Sequence, residues 1–175
     1  MCEKSNVRII EVVEYNLDWE VEFIKESKSI YDIMGKEILK IHHIGSTSIP
    51  GIVAKPIIDI LVEVRNIENI DLYNESLENR GYIAKGEYGI ENRRFFLKGV
   101  YNRTHHIHVF ETGNSEIKRH TNFRDYMIEH PEDAKQYGEL KKELATKFKY
   151  DNEGYCNGKD TFIKKIDKKA YEWIK

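Results

Sequence analysis

The chain has 175 residues, of which 40% are apolar, and this is enough to bury a core in one compact domain without disulfides or a structural metal. Its 28 basic and 30 acidic residues give a net charge of −2, so no global field favours nucleic acid or an anionic membrane surface. We therefore expect one domain over residues 1–175, and any nucleic-acid binding would need a local basic patch.

The N-terminus lacks the basic-then-apolar order of a signal peptide, and no apolar run reaches the length of a membrane span. Cys2 and Cys156 lie far apart without CxxC spacing, which favours reduced thiols over a disulfide framework or a zinc site. These features predict a cytoplasmic protein with no membrane partner.

The first predicted elements are an extended segment and an amphipathic helix. Residues 7–15 mix β-branched with charged residues, which is typical of an extended lead-in. Apolar residues then recur at helical spacing and predict a helix over 18–34, with Asp18 as the cap of its first turn and Gly35 at its end.

Strand and turn signals dominate the middle of the chain. Apolar runs predict strands over 38–44 and 56–64, which flank Gly-Ser and Pro-Gly turns, and a helix over 67–80 follows them. Residues 93–98 and 104–110 predict a hairpin joined by a five-residue loop.

The C-terminal part is predicted to be helical. One helix begins near Glu116, and Pro131 begins another because its missing N–H costs nothing in a first helical turn. A polar, glycine-containing loop over 151–158 precedes a last helix over 162–174. This order predicts an α+β fold, with a small mixed β-sheet and a C-terminal helical layer.

The segment 43–63 carries the strongest functional signal. Asp59 is the only charge inside an apolar run, and a buried carboxylate needs a cation or hydrogen bonds to offset its desolvation. Gly45 and Ser46 offer backbone amides and a hydroxyl for a phosphate, Lys55 offers a positive charge, and Asp59 is suited to a divalent metal. The pattern indicates a nucleotide site. The alternative is that these glycines and prolines only form ordinary turns, and that Asp59 is a structural carboxylate with hydrogen-bond partners.

A pair of histidines provides a second signal. His106 and His108 are two residues apart on a predicted strand, so both side chains leave the same face about 7 Å apart. Ile107 and Val109 lie on the opposite face and are expected to pack into the core. An isolated pair of this kind is more commonly a pair of imidazoles bonded to nearby backbone, unless the strand lies beside Asp59.

If it does, one carboxylate and two imidazoles form a ligand set. Asp59, His106 and His108 suit Mn²⁺, Fe²⁺ or Zn²⁺ better than Mg²⁺. Glu63 lies on the same strand face as Asp59 but about 13 Å away, so it does not share the ion.

Several blocks of sequence, in order, resemble the GrpB family of small bacterial proteins, within the DNA polymerase β-like nucleotidyltransferase superfamily. The blocks are Tyr15 with Trp19 and Phe23, HIGSTSIPG at 43–51, AKPIIDI at 54–60, RFF at 94–96, RTHHIHV at 103–109, FRDY at 123–126, HPE at 130–132, and Ala134, Tyr137, Leu140, Lys141, Tyr155, Lys159, Phe162 and Ile163.

The resemblance implies the fold of that superfamily, a short mixed sheet with a glycine-serine turn before an aspartate strand. In its active members the turn holds the triphosphate of an NTP, and an Asp-x-Asp/Glu pair plus a third acidic residue holds two Mg²⁺ ions. Gly45-Ser46 matches the turn and Asp59 the first carboxylate. Leu61 stands where the second carboxylate is expected, and His106 and His108 stand on the strand of the third.

The leading hypothesis is a metal-dependent nucleotidyltransferase that moves a nucleotide from an NTP to a small or protein acceptor, with Mg²⁺ or Mn²⁺ as cofactor. Asp59, His106 and His108 are the candidate catalytic and metal-binding residues. Arg94 and Arg103 flank the histidine hairpin and are the arginines expected to clamp phosphate with Gly45, Ser46 and Lys55, although an arginine in such a place is more commonly a surface ion-pair residue.

A second hypothesis is a degenerate, non-catalytic module that binds nucleotide or a protein partner. It is favoured by Leu61, and the fusion of GrpB-like domains to dephospho-CoA kinase in some bacteria implies that the fold can serve as a partner. Nucleic-acid binding is disfavoured by the net charge and by the lack of interleaved basic and aromatic residues.

Overall fold

The structure, a computed structural model, describes residues 8–175, so Cys2 and the first residue of the predicted lead-in lie outside it. Within this range it contains five strands and five α-helices. In chain order these are α1 (Asp18–Met34), β1 (Ile38–Ile44), β2 (Ile58–Val64), α2 (Asn74–Glu78), β3 (Tyr82–Ala84), β4 (Arg93–Lys98), β5 (His105–Glu111), α3 (Ser115–Glu129), α4 (Pro131–Lys147) and α5 (Asn152–Trp173). Two short 3₁₀ turns cover Ser46–Ser48 and Glu68–Tyr73.

The five strands form one mixed sheet in the order β1-β2-β5-β4-β3. Strands β2 and β5 are parallel, and the other neighbours are antiparallel. The α+β class, with a small mixed sheet and a helical C-terminal part, is thus as predicted.

The two faces of the sheet have different roles. On one face, the β-branched residues of β2 pack with Ile107 and Val109 of β5 against Trp19, Ile30 and Met34 of α1. The other face carries Asp59 and the two histidines, because Asp59 is opposite His106 and Leu61 is opposite His108 in the β2–β5 register. Strand alternation therefore separates the main core from the polar site.

Helices α3, α4 and α5 form the C-terminal layer. Met127, Tyr137 and Ile166, one from each helix, pack with Ile49 and Ile52 of the β1–β2 connection. This contact places the helical layer beside the Gly-Ser turn. No helix within residues 8–175 has the length and apolar character that crossing a bilayer requires.

The predicted bounds of α1 and β1 match the structure, but the details of the α1 start differ. The side chain of Asp18 does not cap the helix; instead, Oδ1 of Asn16 accepts a hydrogen bond of 2.9 Å from the backbone N–H of Asp18. One continuous helix was predicted over 67–80, whereas the structure divides this segment into a 3₁₀ turn and the short helix α2. Strand β3 was not predicted, since it has only three residues.

The predicted loop at 151–158 was wrong, because these residues form the start of α5. Asp151 is the N-cap, and its Oδ1 accepts a hydrogen bond of 3.0 Å from Gly154 N–H. A Cβ at Gly158 would lie 2.4 Å from a methyl carbon of Leu144, so this glycine lets α5 approach α4 closely. Gly158, one of the glycines that suggested a loop, is a contact point between helices.

Candidate functional site

A cleft of about 210 Å³ opens between the sheet and the C-terminal helices. It is bounded by the Gly-Ser turn, the β1–β2 connection, β2, β5, α4 and α5. Its lining residues are Ser46, Thr47, Lys55, Ile57, Asp59, His106, Lys141, Tyr155 and Lys159. The structure thus brings together four of the residues singled out in the sequence, namely Ser46, Lys55, Asp59 and His106.

The Gly-Ser turn that follows β1 requires a glycine at position 45. Gly45 has φ +71°, and a Cβ there would lie 2.7 Å from Oδ2 of Asp59. A larger residue would meet both a strained backbone and the carboxylate. The turn is further held by Ser48, whose hydroxyl donates to the Gly45 carbonyl at 2.6 Å, and by the buried Thr47, whose Oγ1 lies 3.0 Å from His43 Nε2.

Asp59, His106 and His108 form a compact cluster on one face of β2 and β5. Oδ1 of Asp59 lies 3.1 Å from His106 Nδ1 and 3.4 Å from His108 Nε2. Burial raises the pKa of the Asp59 carboxyl, but hydrogen bonds from the two imidazoles outweigh it and hold the pKa well below its usual range. Burial also lowers the pKa of His108, so a carboxylate beside a neutral imidazole is the expected state at pH 7.

The buried side chain of Arg93 contacts this cluster from behind. Its Nη1 lies 3.3 Å from His108 Nδ1, while Nε and Nη2 donate to the carbonyls of Glu87 and Tyr88 at 3.1 and 2.7 Å. A guanidinium has only donors, so His108 Nδ1 accepts this bond. In the neutral ring the proton is then on Nε2, which faces Asp59.

Neither predicted arginine lines the cleft. Arg94 is opposite Val109, on the core face of the sheet, and forms a bidentate pair with Asp71 at 2.7 and 3.0 Å. Adjacent strand residues point to opposite faces, so Arg93 and not Arg94 reaches the histidines. Arg103 precedes β5, and its buried Nε has no hydrogen-bond partner among residues 8–175.

Three lysines line the same cleft as Asp59. The ammonium groups of Lys55 and Lys159 lie 4.9 and 4.5 Å from the centroid of the Tyr155 ring. Lys141 is only 2% exposed; its ammonium donates to the Val53 carbonyl and lies over the ring of Tyr137. In the described part of the chain, no carboxylate lies within 4.0 Å of any of these ammonium groups.

Burial lowers the pKa of all three lysines, and neighbouring cations add to the effect for Lys55 and Lys141. Burial, with the nearby Lys159 and Arg8, lowers the pKa of Lys55 to about 8. Burial and the charge of Lys159 lower the pKa of Lys141 to about 7, and burial lowers the pKa of Lys159 as well. Unpaired, partly desolvated ammonium groups of this kind favour an anionic ligand, because its charge would restore their ordinary protonation.

Sequence reasoning assigned no role to Lys141, Tyr155 or Lys159 beyond their place in shared blocks. Lys141 carried a usable signal, because it stands four residues after Tyr137, on the buried side of a helix where a lysine is uncommon. Tyr155 lay inside the segment interpreted as a loop, so its spacing of four residues from Lys159 was not used.

The cluster was also compared with the requirements of a metal ion. One ligand atom from each of Asp59, His106 and His108 lies within 4.8 Å of the others. Ligands about 2.1 Å from an ion lie roughly 3.0–3.4 Å apart in octahedral or tetrahedral geometry, which agrees with the two distances to Asp59 Oδ1. The donor set fits one ion. Each imidazole binds it only if the ring nitrogen that faces Asp59 carries no proton, and for His108 the hydrogen bond from Arg93 opposes the loss of that proton.

Comparison with known proteins gives a consistent family. The family model described as "GrpB protein" matches residues 9–169. The chain is 47% identical over 168 residues to "UPF0157 protein YqkA" of Bacillus subtilis, a match that covers 96% of this chain but only 49% of that protein. It is 36% identical to "Glutamate-rich protein GrpB" of Alkalihalophilus pseudofirmus, over 89% of this chain and 92% of that protein.

A solved structure agrees with this result. The crystal structure of conserved protein GrpB from Enterococcus faecalis superposes with a TM-score of 0.91 at 44% identity, covering 94% of this chain and 99% of that one. The chain spans about half the length of YqkA and nearly the whole length of the other two. The chain belongs to the GrpB family.

Proposed function

We propose that the cleft binds the phosphate groups of a nucleoside triphosphate beside a divalent metal ion, and that the protein transfers the nucleotide to an acceptor. The observation that carries this proposal is the arrangement of Lys55, Lys141 and Lys159, none paired with a carboxylate in the described chain, across one cleft from the Asp59–histidine cluster. The proposal includes membership of the nucleotidyltransferase superfamily, which the Gly-Ser turn and Asp59 support by resemblance.

In this proposal each group has a defined task. Ser46 and the amides of the Gly45 turn hold phosphate oxygens, and the three lysines neutralise their charge. Asp59, His106 and His108 hold Mg²⁺ or Mn²⁺, which when bound stabilises charge on the transferring phosphoryl group. Transfer forms a bond from the acceptor to the α-phosphorus, breaks the α–β phosphoanhydride bond and releases pyrophosphate and one proton.

The size of the cleft favours recognition through phosphate. Its volume of about 210 Å³ is below the range of roughly 300–1,000 Å³ that is typical of pockets enclosing a whole drug-sized ligand. Its exposed lining is mainly hydroxyl, ammonium, carboxylate and imidazole. We therefore propose that the phosphates enter the cleft while the base and sugar lie outside it, so selectivity among bases is weak.

One observation favours a second function, a nucleotide- or protein-binding module without catalysis. Leu61 lies on the same strand face as Asp59 but is completely buried with Ile44, Phe110 and Ile117. Phosphoryl transfer commonly uses two metal ions held by several carboxylates, and an apolar Leu61 cannot supply the second. Such a module would retain phosphate binding through Ser46 and the lysines.

Calorimetric titration with each of the four ribonucleoside triphosphates, with and without Mn²⁺ or Mg²⁺, separates these functions. The enzyme requires binding that depends on the metal and is lost in Asp59→Asn, together with pyrophosphate release once an acceptor is supplied. The nucleotide-binding form of the module requires binding without metal and no release of pyrophosphate. Asp71→Asn is the matched control, because Asp71 is an exposed carboxylate that pairs with Arg94 outside the cleft. Absence of nucleotide binding under all conditions would contradict the enzyme and would leave only the protein-binding form of the module.

A further inference from the structure

Helix α1 carries a second apolar stripe on its outer face. Leu17, just before the helix, and Val21, Ile24 and Tyr31 within it are 77%, 61%, 60% and 58% exposed. With the exposed Lys28 they occupy positions separated by four, three, four and three residues. This is the spacing of a coiled-coil seam.

The stripe lies opposite the face that α1 buries in its own domain. The buried positions are Trp19, Glu26, Ile30 and Met34. At about 100° per residue, their centre is roughly opposite the centre of the outer stripe. A surface helix ordinarily presents polar residues on its outer face. On α1 the outer face is apolar, and no side chain within residues 8–175 covers it. An exposed apolar stripe is typical of a protein interface, and this one is interrupted once, by Lys28.

We propose that this outer face of α1 is a dimer interface, in which the α1 helices of two copies of the chain pack antiparallel along the stripe. The charges beside the stripe select this occupant. The first turns carry Asp18, Glu20 and Glu22, the middle turns carry Lys25 and Lys28, and the last turn carries the exposed Asp32. An antiparallel pair places the lysines of each copy next to the carboxylates of the other.

The charge pattern also selects the register. When Val21 of one copy packs against Ile24 of the second copy, Asp18 lies beside the second copy's Lys25, and each contact occurs twice by symmetry. Lys28 then projects toward the acidic first turns of the second copy. A parallel pair would instead place Lys28 against Lys28 in the middle of the seam, where like charges repel.

A contact between two helices of this length falls at the low end of protein interfaces, which is typical of weak association. We expect a dissociation constant in the micromolar range. Sedimentation velocity of the full chain from low micromolar to hundreds of micromolar therefore tests the proposal directly. A monomer over this whole range overturns it, whatever other protein the stripe might bind.

Substitutions then test the interface and its direction. Ile24→Glu is expected to weaken dimerisation at least 100-fold by placing a charge in the seam, whereas Lys28→Leu is expected to tighten it about tenfold by completing the apolar stripe. Leu72→Glu is the matched control, because Leu72 is 81% exposed on the 3₁₀ turn and is not part of the α1 stripe. A dimer that survives Ile24→Glu overturns the proposal.

A charge exchange distinguishes the antiparallel arrangement. Asp18→Lys is expected to weaken the dimer by setting lysines against Lys25, and the double variant Asp18→Lys/Lys25→Asp is expected to restore it. Failure of this rescue overturns the antiparallel register. The substituted apolar position is exposed in the monomer, so its change should not unfold the chain. Circular dichroism and thermal melting check that each variant remains folded.

Discussion

Nη1 of Arg93 lies 3.3 Å from Nδ1 of His108, on the side of the imidazole away from Asp59. Because the guanidinium can only donate, it holds the neutral ring as the tautomer with its proton on Nε2. The same contact places a permanent positive charge behind the proposed metal site. Arg93 therefore opposes cation binding through both the tautomer and its charge.

The first prediction concerns the effect of Arg93 on metal binding. In Arg93→Met the Nδ1 of His108 is free to take the proton, and we expect Mn²⁺ to bind about tenfold more tightly. Electron paramagnetic resonance titration measures the affinity, and ¹⁵N chemical shifts of the His108 ring report the tautomer. Arg94→Met is the control, since Arg94 points to the other sheet face. Unchanged affinity with a changed tautomer would show that His108 is not a ligand.

The second prediction concerns the turn at Gly45. Gly45→Ala is expected to lower the free energy of unfolding by about 2–4 kcal/mol, because the positive φ is strained for alanine and the new Cβ meets Asp59 Oδ2. Gly51→Ala is the comparison, with φ +81° but no heavy atom within 4 Å of its Cβ, and should cost only about 1 kcal/mol. Urea denaturation measures both, and equal losses would mean that the carboxylate does not restrict the turn.

The third prediction concerns Lys141. Lys141→Met removes a buried ammonium that lacks an ion pair, so we expect the free energy of unfolding to stay equal or rise by up to about 2 kcal/mol. The same change should weaken binding of inorganic tripolyphosphate at least tenfold. Lys142→Met is the neighbouring control, because Lys142 is exposed and pairs with Glu14. A large loss of stability would indicate that Lys141 serves mainly to satisfy the Val53 carbonyl.

The fourth prediction concerns pH. The pKa values of Lys55 and Lys141 are lowered to about 8 and about 7, so tripolyphosphate binding should weaken about tenfold between pH 7 and pH 9 as these groups lose their protons. Isothermal titration at constant ionic strength measures the trend.

Stability of the ligand-free protein should change in the opposite direction. The unfolded lysines titrate near pH 10.4, so between about pH 7 and that value the unfolded chain binds more protons and the free energy of unfolding rises with pH. Lys55→Gln/Lys141→Met should flatten this rise. A rise that persists in the double variant would mean that other groups cause it.

The parts of this site that local sequence specifies could be predicted. Strand alternation put His106 and His108 on one face, and an apolar run with one carboxylate identified Asp59. The choice between Arg93 and Arg94 needed the strand register, since the two residues point to opposite faces. In the structure Phe95 is opposite His108, so Arg93, two residues from Phe95, shares the face of His108. The predicted hairpin did not specify this pairing.

The lysine side of the cleft depends on how helices pack against the sheet, which spacing along the chain does not specify. Lys141 of α4 and Lys159 of α5 line the cleft, and the two helices approach closely at Gly158. In the sequence Gly158 was interpreted as a turn signal. A glycine in a helix–helix contact and a glycine in a loop have the same local signature, so only the tertiary structure separates them.

The parallel pairing of β2 with β5 joins residues that are 47 positions apart at Asp59 and His106. A parallel neighbour requires a long crossover, and closing such a loop is slow and entropically costly. The carboxylate and the imidazoles therefore meet only when two strands that are distant in the sequence pair with each other. A partly folded form in which β2 and β5 are not yet paired therefore cannot bind a ligand of the cluster. Such a ligand would stabilise only the form with the completed sheet.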